Sequence, residues 1–335
     1  MRLTVRNAAG ESVLLSDTPL AQGGEAAVHT VPMFPGVVVK LYHPQVLQKR
    51  GDALRVKIDA MTGDPKLSRF KQHPGLAWPC FAVFDEQSQW RGYAMRKAAG
   101  VRMNVLAHAM AYREHFPHLD RMAVVAYLLN LLDTLKALHT AGVRVGDYNL
   151  ANFLCAPDSN SVTLIDCDSW QLSAAGTTFL CPVAAPDMLA PELQGKALDK
   201  TSRTLESEYF SLAILLFKAL MLGRHPYDVV GGAGPVENIR IGYFPYGVGG
   251  GGIPKGPWFN IWSHLPFKLK ERLILTFKDG ALDVSARTSI TEWIDELQLY
   301  KRELCKGWHD VDIKPATPKP KTYRGAQSLS PGVTA

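Results

Sequence analysis

Two neighbouring stretches near the middle of the chain decide the fold. They read LHTAGVRVGDYNLANFL at residues 138–154 and VTLIDCD at residues 162–168. Apolar residues at helical spacing before Gly142 predict that a helix ends there, so the following loop presents Asp147 and Asn152. The β-branched run before Asp166 predicts a strand that delivers this carboxylate at its end. Two carboxylates and an amide oxygen on one loop face form a hard-oxygen site suited to Mg²⁺ and substrate phosphates.

The composition is that of an ordinary globular protein. The chain has 335 residues, of which 47% are hydrophobic and 20% are charged, so it can bury a core and is not disordered as a whole. The longest nearly apolar run, residues 212–222, is much shorter than the roughly 20 residues that a membrane helix needs. The first residues also lack the apolar segment of a secretory signal. We therefore expect a cytoplasmic protein that does not contact a membrane.

The cysteines and charges exclude two further classes of site. Five scattered cysteines with no CxxC spacing support neither a disulfide framework nor a zinc site. The net charge is +6, and residues 49–71 carry seven Lys or Arg against three Asp, which accounts for +4. This basic segment is interpreted as a solvated helix face, with a docking surface for an acidic partner as the alternative. No aromatic-interleaved basic motif is present, so nucleic acid is not an expected partner.

Apolar periodicity divides the chain into a strand-rich region and a helical region. Short β-branched or aromatic runs predict strands at residues 12–15, 28–30, 37–41, 81–84 and 93–95. Helical spacing predicts helices at residues 47–61, 122–139, 205–222 and 290–299. Residues 231–257, with four consecutive glycines at 249–252, are predicted to form a flexible loop. The predicted domains are a strand-rich lobe at 1–97, a helical lobe at 98–305 and a disordered, basic, proline-containing tail at 306–335.

The order of these motifs resembles that of the protein-kinase fold. The spacing Asp147-x-x-x-x-Asn152 is similar to the family's catalytic loop, and Asp166 is similar to the metal-binding Asp of its Asp-Phe-Gly motif. Later positions match in the same order: Ala190-Pro191-Glu192, Glu208, Gly223-x-x-Pro226-Tyr227 and Arg287. The resemblance covers about residues 10–303 and implies a bilobal, α+β kinase-like fold that uses ATP and Mg²⁺.

The resemblance implies a role for each matching residue. Asp147 would accept or orient the proton of the substrate hydroxyl, while Asn152 and Asp166 would bind Mg²⁺. Lys40, at the end of a predicted strand, would neutralise nucleotide phosphates. Asp59 is its expected acidic partner, with Asp52 as the alternative. The other nucleotide-binding positions are a pair in the glycine-rich loop, two residues that sandwich the adenine and three in the hinge: Gly23, Gly24, Val28, Leu154, Met95, Arg96 and Ala98.

Three departures from the family pattern affect the expected activity. Gly146 stands where the family has the arginine that binds an activation-loop phosphate, so activity is expected not to require that phosphate. Asn149 replaces a lysine that contacts the γ-phosphate, which removes electrostatic stabilisation of the transferring group and predicts a slow enzyme. Asp168 replaces the glycine of Asp-Phe-Gly and is a candidate ligand for a second metal ion.

These residues predict ATP- and Mg²⁺-dependent phosphoryl transfer to a protein hydroxyl, with Ser or Thr as the expected acceptor. Two alternatives stay open: a small-molecule phosphotransferase of the aminoglycoside-kinase type, and a nucleotide-binding pseudokinase that acts as a scaffold. The segment from Asp166 to Gln171 and the pair Cys181-Pro182 also resemble a bacterial subgroup associated with phosphatase and von Willebrand-type partners. The expected partners are therefore a protein substrate and a cognate phosphatase.

Overall fold

The N-terminal part of the chain folds into one curled antiparallel sheet. A computed structural model describes residues 3–247 and 251–320. The sheet has seven strands in the order β2-β1-β6-β7-β5-β4-β3. The strands are β1 (Thr4–Arg6), β2 (Ser12–Leu14), β3 (Ala21–Gln22), β4 (Ala26–Thr30), β5 (Val37–Tyr42), β6 (Pro79–Phe84) and β7 (Trp90–Arg96).

Strand β5 lies inside this sheet and has two different faces. Successive side chains of a strand point to opposite sides. Val39 therefore packs in a small cluster with the outer strands, whereas Val38 and Tyr42 join the main core on the other face. Lys40 shares the face of Tyr42 and lies opposite Tyr93 of β7 in the strand register. The alternation thus brings one lysine and two tyrosines to the side of the sheet that faces the rest of the molecule.

A single long helix, α1 (Pro44–Gly63), packs against β6 and β7. Pro44 occupies its first turn, where a missing backbone N–H costs nothing. The helix is interrupted at Arg50, whose backbone is not helical. Its buried residues are Lys57, Ile58 and Met61. A short helix, α2 (Pro65–Ser68), follows. The side chain of Asp64 caps its start by accepting a hydrogen bond from the Lys66 amide.

The rest of the chain is mainly helical. Its helices are α3 (Met103–Leu106), α4 (Tyr112–His115), α5 (Arg121–Thr140), α6 (Leu205–Leu220), α7 (Pro235–Arg240), α8 (Trp258–His264), α9 (Phe267–Phe277), α10 (Asp279–Leu282) and α11 (Ile290–Cys305). Its strands are β8 (Val101–Arg102), β9 (Phe153–Cys155), β10 (Val162–Leu164), β11 (Leu172–Ala174) and β12 (Thr177–Phe179). Helix α6 begins with a capping box between Thr204 and Ser207 and is buried along most of its length. It forms the centre of this lobe.

Helix α5 is the one helix in the described ranges that is long and apolar enough to cross a membrane. Its most apolar stretch is 56% buried inside the protein. It packs against α11 and α6.

The first part of the predicted disordered tail is instead packed on the helical lobe. Ile313 is buried, and its carbonyl accepts a hydrogen bond of 3.0 Å from the buried Arg121 guanidinium of α5. The Asn260 amide donates to the carbonyls of Pro315 and Ala316. The prediction is therefore wrong for residues 306–320, because one apolar side chain and several backbone acceptors hold them in place. The tail beyond residue 320 and residues 248–250 of the glycine-rich loop lie outside the described residues.

The remainder of the predicted glycine-rich loop is also more regular than expected. Helix α7 lies inside it, and Asn238 of that helix is fully buried. The Asn238 side chain donates to the carbonyls of Tyr227 and Ala233, each at 2.9 Å. These contacts fix the start of the segment.

Candidate active site

A cavity of about 660 Å³ lies between the sheet and the helical lobe. It brings together most of the site residues that the sequence predicts. From the sheet side these are Gly23, Gly24, Val28 and Lys40, and from the helical side Asp147, Asn152 and Asp166. Helix α1 contributes Arg50, Leu54 and Lys57 to the same wall. Segments that are more than 100 residues apart in the chain therefore meet at one open cleft.

A buried glutamate of α6 holds the loop that carries Asp147. Glu208 of α6 is 1% exposed and accepts hydrogen bonds from the backbone amides of Val145 (2.8 Å) and Gly146 (2.9 Å). It also accepts from the Tyr148 hydroxyl at 3.0 Å. A carboxylate that bonds several backbone donors fixes their direction strongly. The loop conformation is therefore set before any ligand arrives.

Asp147 and Asn152 contact each other across this loop. The Asn152 side-chain amide donates to Asp147 Oδ2 at 3.0 Å, and both residues line the cavity. Burial raises the pKa of Asp147, and hydrogen bonds from the Asn149 backbone and the Asn152 side chain partly offset that effect. A partly buried carboxylate that is already oriented is suited to accept a proton from a bound hydroxyl.

The backbone and the surroundings of position 146 favour glycine over the arginine of the family pattern. The backbone of Gly146 has φ +69°, in the left-handed region that favours glycine. A Cβ atom here would lie 2.7 Å from Cys181 Sγ. Cys181 therefore occupies the space into which a side chain at position 146 would project.

Asp166 is placed by a strained turn at the end of β10. Its φ of +58° is unusual for a residue other than glycine. The side chain is 49% exposed toward the cleft, and Oδ1 lies 3.1 Å from Lys40 Nζ. Asp166 and Asn152 both line the cavity, and carboxylate and side-chain amide oxygens are ligand types that Mg²⁺ accepts.

Lys40 is bound mainly by an acid that the sequence interpretation assigned to a different role. Its ammonium lies 2.8 Å and 3.0 Å from the two carboxylate oxygens of Asp168. The hydroxyls of Tyr42 (2.5 Å) and Tyr93 (2.8 Å) donate to the same carboxylate. Asp168 is 5% exposed and fully engaged. The prediction that it serves as a second metal ligand is therefore wrong in this structure, because three donors already use its oxygens.

The charges of this cluster stabilise one another. Burial alone would raise the pKa of Asp168, but Lys40 and the two tyrosine hydroxyls lower it to about 2. Burial alone would lower the pKa of Lys40, but Asp168 and Asp166 hold it well above the usual value. Both groups are therefore charged across the physiological pH range.

Asp59 does not contact Lys40, so its predicted role as acidic partner is wrong. It lies on the solvent side of α1, where it faces Arg55 at 3.7 Å and both side chains are about half exposed. The alternative, Asp52, is also exposed. The signal that could have located the true partner is the pair of tyrosines near Lys40, because buried hydroxyls require an acceptor.

Of the residues predicted to contact the adenine, Val28 lines the cavity wall. Met95, Arg96, Ala98 and Leu154 are absent from the residues that line it. Met95 is buried in the core, and the Arg96 guanidinium donates to the His73 carbonyl. Ala98 lies in the connection to β8, which pairs with β9 through Arg102 and Leu154. Arg102, unlike Ala98 and Leu154, lines the cavity.

The segment that follows the site is ordered by its own contacts. Strands β11 and β12 form a hairpin, with the hydroxyls of Ser173 and Thr178 at 2.9 Å. Further on, Glu192 forms a bidentate pair with Arg287, with both N–O distances 2.7 Å. The Arg287 side chain is 1% exposed. This pair joins the end of the segment to the region before α11.

The Glu192–Arg287 pair gives a stability prediction. Glu192→Ala leaves a buried guanidinium without its carboxylate, and breaking such a pair costs about 3–5 kcal/mol. We expect a lower free energy of unfolding in urea and a lower Tm for this variant. Glu271→Ala removes an exposed glutamate of α9 and serves as the matched control, with a change within about 0.5 kcal/mol. Equal stability of the two variants would contradict a structural role for the pair.

Comparisons with known proteins agree with this fold. The chain has the protein-kinase fold, because solved structures of that fold superimpose on nearly all of it. A rhoptry kinase from Toxoplasma gondii matches with a TM-score of 0.62 and 13% identity, over 92% of this chain and 84% of that one. ROP2 from the same organism, described as a virulence factor with a protein-kinase fold and no enzymatic activity, matches with a TM-score of 0.63 and 13% identity, over 91% and 86%. The predicted bilobal α+β fold is thereby confirmed.

Sequence comparison points to bacterial relatives that are named protein kinases. Protein kinase YegI of Escherichia coli O157:H7 is 30% identical over 319 residues, which are 91% of this chain and 47% of that protein. Protein kinase YegI of strain K12 is 28% identical over 297 residues, 86% of this chain and 44% of that protein. The chain is thus similar to bacterial proteins that are named protein kinases, and it spans about half the length of these curated relatives. No family model matches it.

Proposed function

We propose that the protein transfers a phosphoryl group from ATP to a protein hydroxyl in the presence of Mg²⁺, with Ser or Thr as the acceptor. The observation that carries this proposal is the meeting of Lys40, Asp147, Asn152 and Asp166 at one cavity. The names of the Escherichia coli relatives support the same class of activity.

Each residue has a role that follows from its surroundings. Lys40 is charged and fixed, so it can hold nucleotide phosphates in one position. Asp147 can orient the acceptor hydroxyl and take up its proton, since it is oriented by Asn152 and accessible from the cavity. Asn152 and Asp166 supply oxygen ligands for Mg²⁺, which would neutralise phosphate charge when bound. The buried Glu208 holds the loop that carries Asp147 in place during phosphoryl transfer.

A protein substrate is favoured over a small molecule by the segment after the site. The hairpin β11–β12 and the Glu192–Arg287 pair anchor the two ends of this segment, and Thr178, Phe179 and Val183 of the segment line the same cavity as Asp147. Cys181 of this segment fills the space beside Gly146. A side chain at position 146 would meet Cys181 Sγ, so no arginine can bind a phosphate from this position, and we expect activity that does not depend on phosphorylation of this segment.

A pseudokinase is the second candidate. Asn149 removes one cation expected near the γ-phosphate, and ROP2 shows that this fold also occurs in a protein described as having no enzymatic activity. Incubation with Mg²⁺ and labelled ATP separates the two functions. Label on the chain itself or on a generic basic protein supports the kinase. Tight binding without transfer supports the pseudokinase, and transfer only to sugars or amines indicates a small-molecule enzyme.

Replacement of Asp166 tests the metal site. Asp166→Asn keeps the shape of the side chain but removes its charge, so the concentration of Mg²⁺ required for half-maximal nucleotide binding should rise about 10-fold or more. Asp158→Asn changes an exposed aspartate in the turn between β9 and β10 and is the control. Superimposable metal titrations of Asp166→Asn and wild type would remove Asp166 from the site.

A further inference from the structure

Helix α1 presents a lysine, rather than an acid, to the cavity. Lys57 lines the cavity wall together with Arg50 and Leu54 of the same helix. The residue is only 6% exposed. Among residues 3–247 and 251–320 its ammonium has no hydrogen-bond or ion-pair partner, unlike Lys40, which contacts two carboxylates. Lys57 is therefore a buried cation without a partner at the edge of a ligand-sized space.

The neighbouring acid cannot satisfy Lys57. Asp168 is the acid whose charge acts most strongly on Lys57, but it already accepts from Lys40, Tyr42 and Tyr93. An ammonium removed from water is unfavourable unless it finds a counter-charge. Burial accordingly lowers the pKa of Lys57 to about 8, and Arg50 and Lys40 add to the effect by repulsion. An anion that enters the cavity would supply the missing partner.

We propose that Lys57 is a second phosphate-binding lysine, which contacts the phosphate oxygens of the nucleotide in this cavity. The inference deepens the proposed function and rests on it. Lys57 would provide from helix α1 a cation that the catalytic loop lacks at Asn149. A lysine in place of an acid on α1 is consistent with the rest of the site, because Asp168 already provides the carboxylate that pairs with Lys40.

The experiment compares nucleotide binding by Lys57→Met, Lys57→Arg and wild type, measured by calorimetry with ATP, ADP and adenosine. Met keeps the length and apolar stem of the side chain but not the charge. We expect Lys57→Met to bind ATP and ADP about 10- to 100-fold more weakly, the usual effect of one charged hydrogen bond. Adenosine affinity should not change. Lys57→Arg should retain most of the affinity for ATP. Lys66→Met, an exposed lysine in the same basic segment, should behave as wild type.

Thermal stability gives a readout that does not depend on catalysis. Because the buried charge is unfavourable without a ligand, Lys57→Met should have a Tm equal to or above that of wild type in the absence of nucleotide. It should also show a smaller rise in Tm than wild type when ATP is added. A variant that unfolds at lower temperature and still gains the full ATP-dependent shift would instead show that Lys57 serves packing.

A pH series adds an independent check. The groups that face Lys57 are Asp168, Lys40, Cys181 and Arg50. The pKa of Asp168 lies near 2, and those of Lys40 and Cys181 are raised above their usual values. Because Lys57 loses its proton above about pH 8, wild-type affinity for ATP should fall between about pH 8 and 9.5. Affinity of Lys57→Arg should stay constant over that interval.

The outcomes separate this inference from the proposed function. If wild type binds ATP but Lys57→Met binds it equally well, Lys57 is not a phosphate ligand and the kinase proposal is unaffected. If wild type binds neither ATP nor ADP, both proposals are overturned. Equal weakening of adenosine and ATP binding by Lys57→Met would also contradict a phosphate contact.

Discussion

Asp147→Ala is expected to lower the rate of phosphoryl transfer by about 10²- to 10⁴-fold, the usual contribution of a positioned acid or base. Asp147 lines the cavity, and a hydrogen bond from Asn152 orients its carboxylate toward a bound hydroxyl. The affinity for ATP should change little, since Lys40 and Asp166 are untouched. Single-turnover transfer and nucleotide binding, measured on the same preparation, give the two quantities separately.

Asp158→Ala provides the control for this variant, because Asp158 is exposed and lies outside the cavity. Transfer by Asp147→Ala at the wild-type rate would show that Asp147 does not handle the proton. A large loss of ATP affinity would instead indicate that the alanine disturbs the loop held by Glu208.

Asp168→Asn is expected to weaken both the fold of the site and its use of ATP. The variant leaves Lys40 with Asp166 alone and removes the charge that accepts from Tyr42 and Tyr93. Truncating one side of a buried, hydrogen-bonded charge pair costs about 2–5 kcal/mol. We therefore expect a lower Tm and a fall in kcat/KM for ATP of about 30-fold or more, which corresponds to the lower end of that range.

Asp59→Asn is the informative comparison, because Asp59 is the acid that the sequence interpretation assigned to Lys40. Its exposed pair with Arg55 contributes at most about 1 kcal/mol, so this variant should be close to wild type in stability and in kcat/KM. If Asp59→Asn were the more damaging of the two, the pairing of Lys40 with Asp168 would not be the one on which the use of ATP depends. A double variant of Lys40→Met and Asp168→Asn should show strong non-additivity, as expected for contacting groups.

Three of the predicted site residues that meet at the cavity are close together in the chain. Asp147 and Asn152 belong to one loop, and Asp166 follows β10 directly, so spacing alone brings them to one face. Lys40 could also be recognised, since it follows an apolar run of β5. The position of each of these four residues follows from the secondary structure of its own segment.

The residues that sequence reasoning misplaced depend on contacts between distant segments. Asp168 was a candidate metal ligand because nothing in its own stretch shows that Tyr42 and Tyr93 reach it. The acid on α1 was chosen by distance along the chain, although the rotation of the helix points Asp59 to solvent and Lys57 to the cavity. The tail was expected to be disordered from its prolines, yet one buried isoleucine, Ile313, anchors it.

The acid that pairs with Lys40 lies outside helix α1, and this position affects how sequences with the protein-kinase fold are classified by their motifs. A search that requires a glutamate on the helix after the lysine strand would count this ion pair as lost and would place the protein among degenerate members of the fold. The pair is intact, but its carboxylate comes from the turn that also carries Asp166. Inventories of inactive kinase homologues should therefore inspect the second residue after that aspartate before they record a missing partner.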